Sequence, residues 1–329
     1  MKSPVGTGLF FKTELMKRTA LLCLLALAAC GGPAVSEYGT PLPSETLLLY
    51  PEGQNTDKGL EGAMGPCVSN GWTEEEAIAE NGNISNITEP SIDLYFPKKP
   101  NGQMVVVCPG GGYWIVSSRN EGTYVADWML QKGISVCVVK YRMPYGHHEV
   151  PLTDVQNAFR YCRANAEKWG ISQIGVMGFS AGGHLAASAS NLFVDDITRP
   201  DFSVLIYPVI TMHEKFTHHG TRNNLLGENP GEEMLRRYSL QKQVTENTPV
   251  TFLAHCTDDK SVPVENSLRY YQRLRHHNVP AEMHIYPTGG HGWGFSSEKF
   301  VGEGNDRFSY ARPEFEKSLE RWLESIRTK

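Results

Sequence analysis

Short apolar runs recur along the chain, separated by stretches with helical spacing. Ser91-Ile92-Asp93-Leu94-Tyr95-Phe96 alternates and predicts a strand. Met104 to Cys108, Ser135 to Tyr141, Ile174 to Met177, Val204 to Tyr207, Val250 to Ala254 and Ala281 to Tyr286 predict further strands, most of them buried. Helices are predicted over Gly122–Lys132, Asp154–Trp169, Ala181–Leu192, Val264–His276 and Pro313–Arg327. In the second of these Val155, Ala158, Phe159, Cys162 and Ala166 share one face. Buried strands alternating with helices predict an α/β fold, with a mostly parallel sheet covered on both faces. Residues 211–247 are polar and break the rhythm, as a small insertion near the carboxyl edge would. Residues 31–66 are rich in Gly, Pro and Ser and read as a tether with irregular structure, leaving 67–329 for the folded domain.

The N-terminus changes this picture. Met16-Lys17-Arg18 precedes an almost wholly apolar run, Thr19 to Ala29, that ends Leu27-Ala28-Ala29-Cys30. A basic start, a short apolar stretch and small residues before the cut predict a secretory signal over 1–30, too short for a comfortable membrane span. The Leu-Ala-Ala-Cys string resembles the bacterial lipobox. In that reading Cys30 is the lipidated first residue of the mature protein, held to a membrane in the periplasm or at the cell surface. Residues 1–15 then precede the true start at Met16.

Composition narrows the partners. Lys and Arg number 31 against 36 Asp and Glu, a formal charge of -5, so there is no basic surplus to neutralise nucleic-acid phosphates. Removing Cys23 and Cys30 from the seven cysteines leaves Cys67, Cys108, Cys137, Cys162 and Cys256, with no C-x-x-C pair. A zinc site and a dense disulfide framework are both disfavoured, and no metal ligand set is expected. Cys108 and Cys137 fall inside strand-like runs and read as buried free thiols; one disulfide among the five stays open.

The chemistry concentrates at predicted strand ends. Gly178-Phe179-Ser180-Ala181-Gly182 fits G-x-S-x-G, between a predicted strand and a helix of small residues. That context suits a nucleophile elbow, with Ser180 on a tight turn and a helix N-terminus directed at the reacting centre. A Ser hydroxyl needs a base. Of eleven histidines, His291 sits in the Gly-rich loop Gly289-Gly290-His291-Gly292-Trp293-Gly294, after the last predicted strand. His184 reads as a packing residue, His255 and His284 as core, and His147, His148, His213, His218, His219, His276 and His277 as solvated. The base needs an acid. Asp259 precedes Val262-Pro263 at a strand's carboxyl end, with Asp258 as the alternative or as a loop cap. The glycines of Pro109-Gly110-Gly111-Gly112-Tyr113-Trp114 leave backbone N–H groups free, so Gly111, Gly112 and Ala181 are oxyanion-hole candidates. Tyr113, Trp114 and Trp293 are candidate stacking faces for a sugar ring, or core.

Together PGGGY, Tyr141-Arg142-Met143-Pro144, GFSAGG, DDKSVP and GGHGWG resemble the α/β-hydrolase serine esterases, closest to acetylxylan esterase-like and feruloyl esterase-like carbohydrate esterases. The resemblance covers roughly residues 91–327. It implies an α/β-hydrolase fold and deacylation of acetylated glycans or oligosaccharides such as xylan through an acyl-Ser intermediate, with no cofactor. It also implies an Arg142–Asp154 ion pair near the site. Pro109 stands where the hormone-sensitive-lipase-like branch carries the His of HGGG. Competing readings are a prolyl-oligopeptidase-type serine peptidase, a lipase-like carboxylesterase, and a non-catalytic glycan-binding protein of the same fold.

Overall fold

The computed structural model describes residues 35–50, 76–87 and 89–328. The expected signal at 1–30, lipidation at Cys30 and the thiol of Cys67 lie outside the described residues. Two compact units are distinguished, Met1–Leu42 and Pro43–Lys329. In the first, Val35 and Pro41 form an antiparallel bridge and the hydroxyls of Ser36 and Thr40 pair at 2.6 Å.

The second unit is an eight-stranded sheet with helices on both faces. Its strands are β1 (Glu45–Leu48), β4 (Ser91–Tyr95), β5 (Gln103–Cys108), β7 (Ser135–Lys140), β8 (Gln173–Phe179), β9 (Phe202–Ile206), β10 (Val250–Cys256) and β11 (Ala281–Tyr286). They run in the order β1-β4-β7-β5-β8-β9-β10-β11. The β1–β4 and β4–β7 pairings are antiparallel, and all the others are parallel. The parallel strands therefore present their carboxyl ends at one edge, where an α/β sheet places its ligand crevice. A small antiparallel sheet, β2 (Ala77–Ile78), β3 (Asn83–Ser85) and β6 (Ile115–Ser117), pairs Ile84 with Val116 just beyond the Gly-rich loop.

The helices are α1 (Tyr124–Gln131), α2 (Val150–Trp169), α3 (Ser180–Asn191), α4 (His219–Leu226), α5 (Glu232–Tyr238), α6 (Glu265–His276), α7 (Glu298–Val301) and α8 (Arg312–Ser325). Successive strand residues feed opposite faces. Val106, Cys137 and Val176 pack on one side with Phe159 of α2, Leu185 of α3 and Leu274 of α6. Val107, Val138 and Met177 pack on the other with Met129 of α1 and Leu319 and Trp322 of α8.

Most predicted elements are present, and the differences have local causes. Helix α2 begins at Val150, ahead of Asp154, because Pro151 is tolerated in a first turn where its missing N–H would be unpaired anyway. Ahead of α1, Arg119–Thr123 forms a wide π-type turn instead of the first turn of an α-helix. The stretch 31–66, expected to be irregular, supplies the edge strand β1, whose Thr46 hydroxyl donates to Asp93 at 2.6 Å. The insertion 211–247 holds two short helices, α4 and α5, and a 3₁₀ turn, Leu240–Lys242, joined by irregular segments. Cys108, Cys137, Cys162 and Cys256 are buried free thiols, and burial pushes Cys256 up to about 12.

One ion pair supports the Gly-rich loop from beneath. Arg142, just past β7, meets Asp154 of α2 at 2.6 Å, both side chains fully buried. The Arg142 backbone N–H donates to the same carboxylate at 2.9 Å, and the Tyr50 hydroxyl donates to it at 3.0 Å. This is the pair implied by the sequence resemblance. It fixes the chain at Tyr141, whose hydroxyl donates to the Pro109 carbonyl at 2.6 Å. Removing one partner of a buried pair strands the other's charge. Asp154→Asn is therefore expected to cost about 3–5 kcal/mol in urea unfolding; a loss well below that range would show the pair to be dispensable.

Candidate active site

The turn from β8 into α3 places Ser180 at the carboxyl edge with φ 53°, in the left-handed region. The neighbouring glycines permit this. A Cβ on Gly178 would overlap the Gly182 carbonyl, and one on Gly182 would overlap the carbonyls of Cys108 and Pro109. Helix α3 thus lies directly against the end of β5, which carries the Gly-rich loop. The first N–H groups of α3, that of Ala181 among them, have no intrahelical acceptor.

The three side chains expected from distant parts of the sequence meet here. His291 Nε2 lies 2.8 Å from Ser180 Oγ, and His291 Nδ1 lies 2.6 Å from Asp259 Oδ2. The network assigns the tautomer: Nδ1–H donates to Asp259, and Nε2 accepts from the Ser180 hydroxyl. Asp259 Oδ1 also accepts from the backbone N–H groups of Ser261 at 2.9 Å and Val262 at 2.8 Å. His255 approaches the same carboxylate, its Nε2 3.3 Å from Oδ2 and 2.9 Å from the Val262 carbonyl. Ser267 Oγ lies 2.8 Å from His255 Nδ1 and supplies that nitrogen with a hydroxyl donor. Burial alone would raise the Asp259 pKa, but the bonds from His255 and His291 outweigh it and hold the carboxyl well below its usual range. Asp258 caps the histidine loop instead, accepting from the N–H groups of Gly290 at 2.8 Å and Gly289 at 3.3 Å.

The Gly-rich loop closes over the nucleophile. A Cβ on Gly110 would lie 2.7 Å from the Phe179 carbonyl and 3.0 Å from Ser180 Cβ. A cavity of about 480 Å³ opens above, lined by Gly111, Gly112, Trp114, Ser180 and His291 among others. Gly111, Gly112 and Ala181 are thereby brought together beside Ser180. Tyr113 and Trp293 do not line this cavity, contrary to the expectation that they stack on a sugar. Each is only 2% exposed. Tyr113 turns inward at φ 57° and its hydroxyl meets His184 Nδ1 at 3.0 Å, while Trp293 stacks on Phe308 with centroids 4.0 Å apart. Trp114 does face the cavity. His184 donates from Nε2 to the Tyr238 carbonyl at 2.9 Å, and burial lowers its pKa to about 4, so it is a neutral packing residue.

His218, Asn224 and Glu121 are among the lining residues that escaped the sequence reading. His218, expected to be solvated, lines the cavity from the insertion; its Nδ1 accepts the Thr221 N–H at 3.1 Å and caps α4. Asn224 of α4 donates to the Gly112 carbonyl at 2.9 Å and braces the loop. Glu121 lies behind the nucleophile, fully buried. None stands in a motif, and the insertion has no periodicity that ties it to the sheet edge.

A serine on a strand–turn–helix elbow, a histidine and an aspartate on successive later loops, and a Gly-rich loop after β5 define the α/β-hydrolase class. The BD-FAE family model matches residues 92–274, more than half of the chain, and this chain belongs to that family. It is 37% identical over 221 residues to an acetylxylan esterase of Xylanibacter ruminicola, covering 65% of this chain and 46% of that protein. It is also 37% identical over 212 residues to endo-1,4-beta-xylanase B of Butyrivibrio fibrisolvens, covering 60% of this chain and 33% of that one. The chain thus spans less than half the length of these curated relatives. Among solved structures it is similar to an acetyl ester-xyloside bifunctional hydrolase from Caldicellulosiruptor lactoaceticus, with 33% identity and a TM-score of 0.66, covering 87% of this chain and 97% of that one.

The depressed pKa of Asp259 gives a signed expectation. A carboxyl that binds its proton less readily folded than unfolded stabilises the fold above the unfolded value of about 4, and loses that contribution as pH falls through the lower folded value. Urea unfolding midpoints of wild type and Asp259→Asn should differ most at pH 7 and converge on acidification below about pH 4; a gap that stays constant with pH would contradict the assignment.

Proposed function

We propose that this chain is a serine esterase that removes short acyl groups, acetyl foremost, from plant glycans such as xylan. The observation that carries the reading is the unbroken chain of hydrogen bonds from Ser180 through His291 to Asp259. In this scheme Ser180 Oγ attacks the ester carbonyl while His291 Nε2 takes its proton. The N–H groups of Gly111, Gly112 and Ala181 hold the oxyanion, each such donor being worth about 3–4 kcal/mol of transition-state stabilisation. Collapse breaks the bond to the sugar oxygen, which leaves with the proton from His291. Water then gives a proton to His291 and attacks the acyl-Ser. Collapse of the second tetrahedral adduct releases the acid and restores the Ser180 hydroxyl.

The substrate class rests on two supports. The relatives include proteins described as an acetylxylan esterase and an acetyl ester-xyloside hydrolase, and the cavity suits a hydroxyl-rich leaving group. Asn120, Ser117, His218, Asn224 and Ser261 line it beside a single large aromatic, Trp114. Acetate release from acetylated xylan is the direct test. Ser180→Ala should lower it by about 10⁴-fold or more with the fold intact, whereas a wild-type preference for cleaving the amide bond of a dipeptide substrate over acetylated xylan would replace this reading with a peptidase.

A further inference from the structure

Behind the Ser180–His291 pair lies a second carboxylate that the scheme above does not use. Glu121 comes from the π-type turn before α1 and is 3% exposed. Its Oε2 accepts the Gly110 N–H at 2.7 Å, at the root of the oxyanion loop. Its Oε1 accepts the Tyr207 hydroxyl at 2.7 Å. Tyr207, just past β9, in turn accepts the N–H of Gly294 at 2.8 Å, three residues beyond His291. The Tyr207 ring packs on His291 with centroids 4.8 Å apart and on Trp293 at 4.9 Å. Since Gly294 donates to Tyr207, the phenol's own proton is committed to Glu121. Both Glu121 oxygens therefore act as acceptors, which is the hydrogen-bonding pattern of an ionised carboxylate. Tyr207 itself is held at φ 36°, a costly conformation for a bulky side chain and one that only over-determining contacts sustain.

We propose that Glu121 is a positioning residue for the esterase reaction: through Gly110 on one side and Tyr207 on the other it locks the oxyanion loop to the histidine loop, and its buried charge stabilises His291 when that ring takes the serine proton. The inference rests on the esterase reading. Two loops that share one strut cannot drift apart, and a small misplacement in an acyl-transfer site is costly. The charge acts in a water-poor space, where it is less screened than at a surface. The titratable groups facing Glu121 are Tyr207, Tyr141 and His291. Those facing His291 are Ser180, Asp259, Tyr207, His218 and Glu121, and the Arg307 guanidinium is tied to its backbone carbonyl at 2.7 Å. Burial raises the Glu121 pKa, while the Tyr207 and Gly110 bonds and the proximity of His291 pull the other way.

The test compares wild type, Glu121→Gln, Glu121→Asp and Tyr207→Phe on p-nitrophenyl acetate across pH, with thermal unfolding of each. Glu121→Gln keeps the shape and loses the charge. It should lower kcat on the order of 10²-fold with little change in KM. Because a negative charge favours imidazolium, its removal should also shift the acid limb of the kcat/KM profile to lower pH. Glu121→Asp and Tyr207→Phe keep the carboxylate, so each should lower kcat but leave the acid limb in place. An unshifted acid limb in Glu121→Gln, with kcat falling only as far as the folded fraction falls, would overturn the proposal. Should Glu121→Gln fail to fold, a wild-type kcat in Tyr207→Phe would overturn it on its own. If wild type itself shows no Ser180-dependent hydrolysis, the esterase reading fails, and with it this inference; if wild type is active and all three variants match it, only the inference fails.

Discussion

The carboxyl edge of the sheet is organised around one backbone conformation. Ser180 is held at φ 53°, a region that costs a non-glycine residue about 1–3 kcal/mol and persists only where the surroundings impose it. The surroundings are glycine-to-carbonyl contacts: Gly178 against Gly182, and Gly182 against the last residues of β5 and the start of its loop. No side chain larger than hydrogen fits between them. The Val209 N–H bond to the Ser180 carbonyl at 3.0 Å fixes the turn from the other side. Exposing the hydroxyl, aligning the N-terminus of α3 and bringing the β5 loop over the nucleophile are thus consequences of one packing constraint.

Asp154, Asp259 and Glu121 are among the carboxylates buried around that constraint, and each is matched to donors in a different way. Asp154 is neutralised by a guanidinium and serves the architecture, carrying its support through Tyr141 to Pro109. Asp259 is fed by two backbone N–H groups and two histidines, so its charge stays available to orient His291. Among the described residues Glu121 has no cationic partner of its own, and it is satisfied by one N–H and one phenol. Its charge is therefore the least compensated of the three, and it lies one Tyr207 ring away from the imidazole that Asp259 touches directly. Burying a carboxylate without a partner is costly, and a placement of this kind beside the reacting pair is understandable if the charge is used there.

The sequence carried the sheet well because parallel strands are buried on both faces and read as continuous apolar runs; β5, β7, β8 and β10 were legible for that reason. Strand β1 was not legible, since an exposed edge strand of four residues carries no such run. Ser180, His291 and Asp259 were legible because each sits in a local signature at a strand end. Tyr113 and Trp293 misled for a physical reason. Proximity in sequence to a site loop does not set side-chain direction, and the positive φ at Tyr113 turns its ring into the core. Glu121, Tyr207 and His218 reach the site only through tertiary packing, from a π-type turn, a strand end and a helix cap that have no joint trace in the sequence.

Reaction with an alkyl fluorophosphonate followed by peptide mapping shows whether Ser180 is an activated nucleophile. One phosphonyl group per chain is expected, on the peptide bearing Ser180, at a rate that collapses when His291 is replaced by Ala. A folded protein that takes no label, or takes it on a different serine, would rule out Ser180 as the nucleophile.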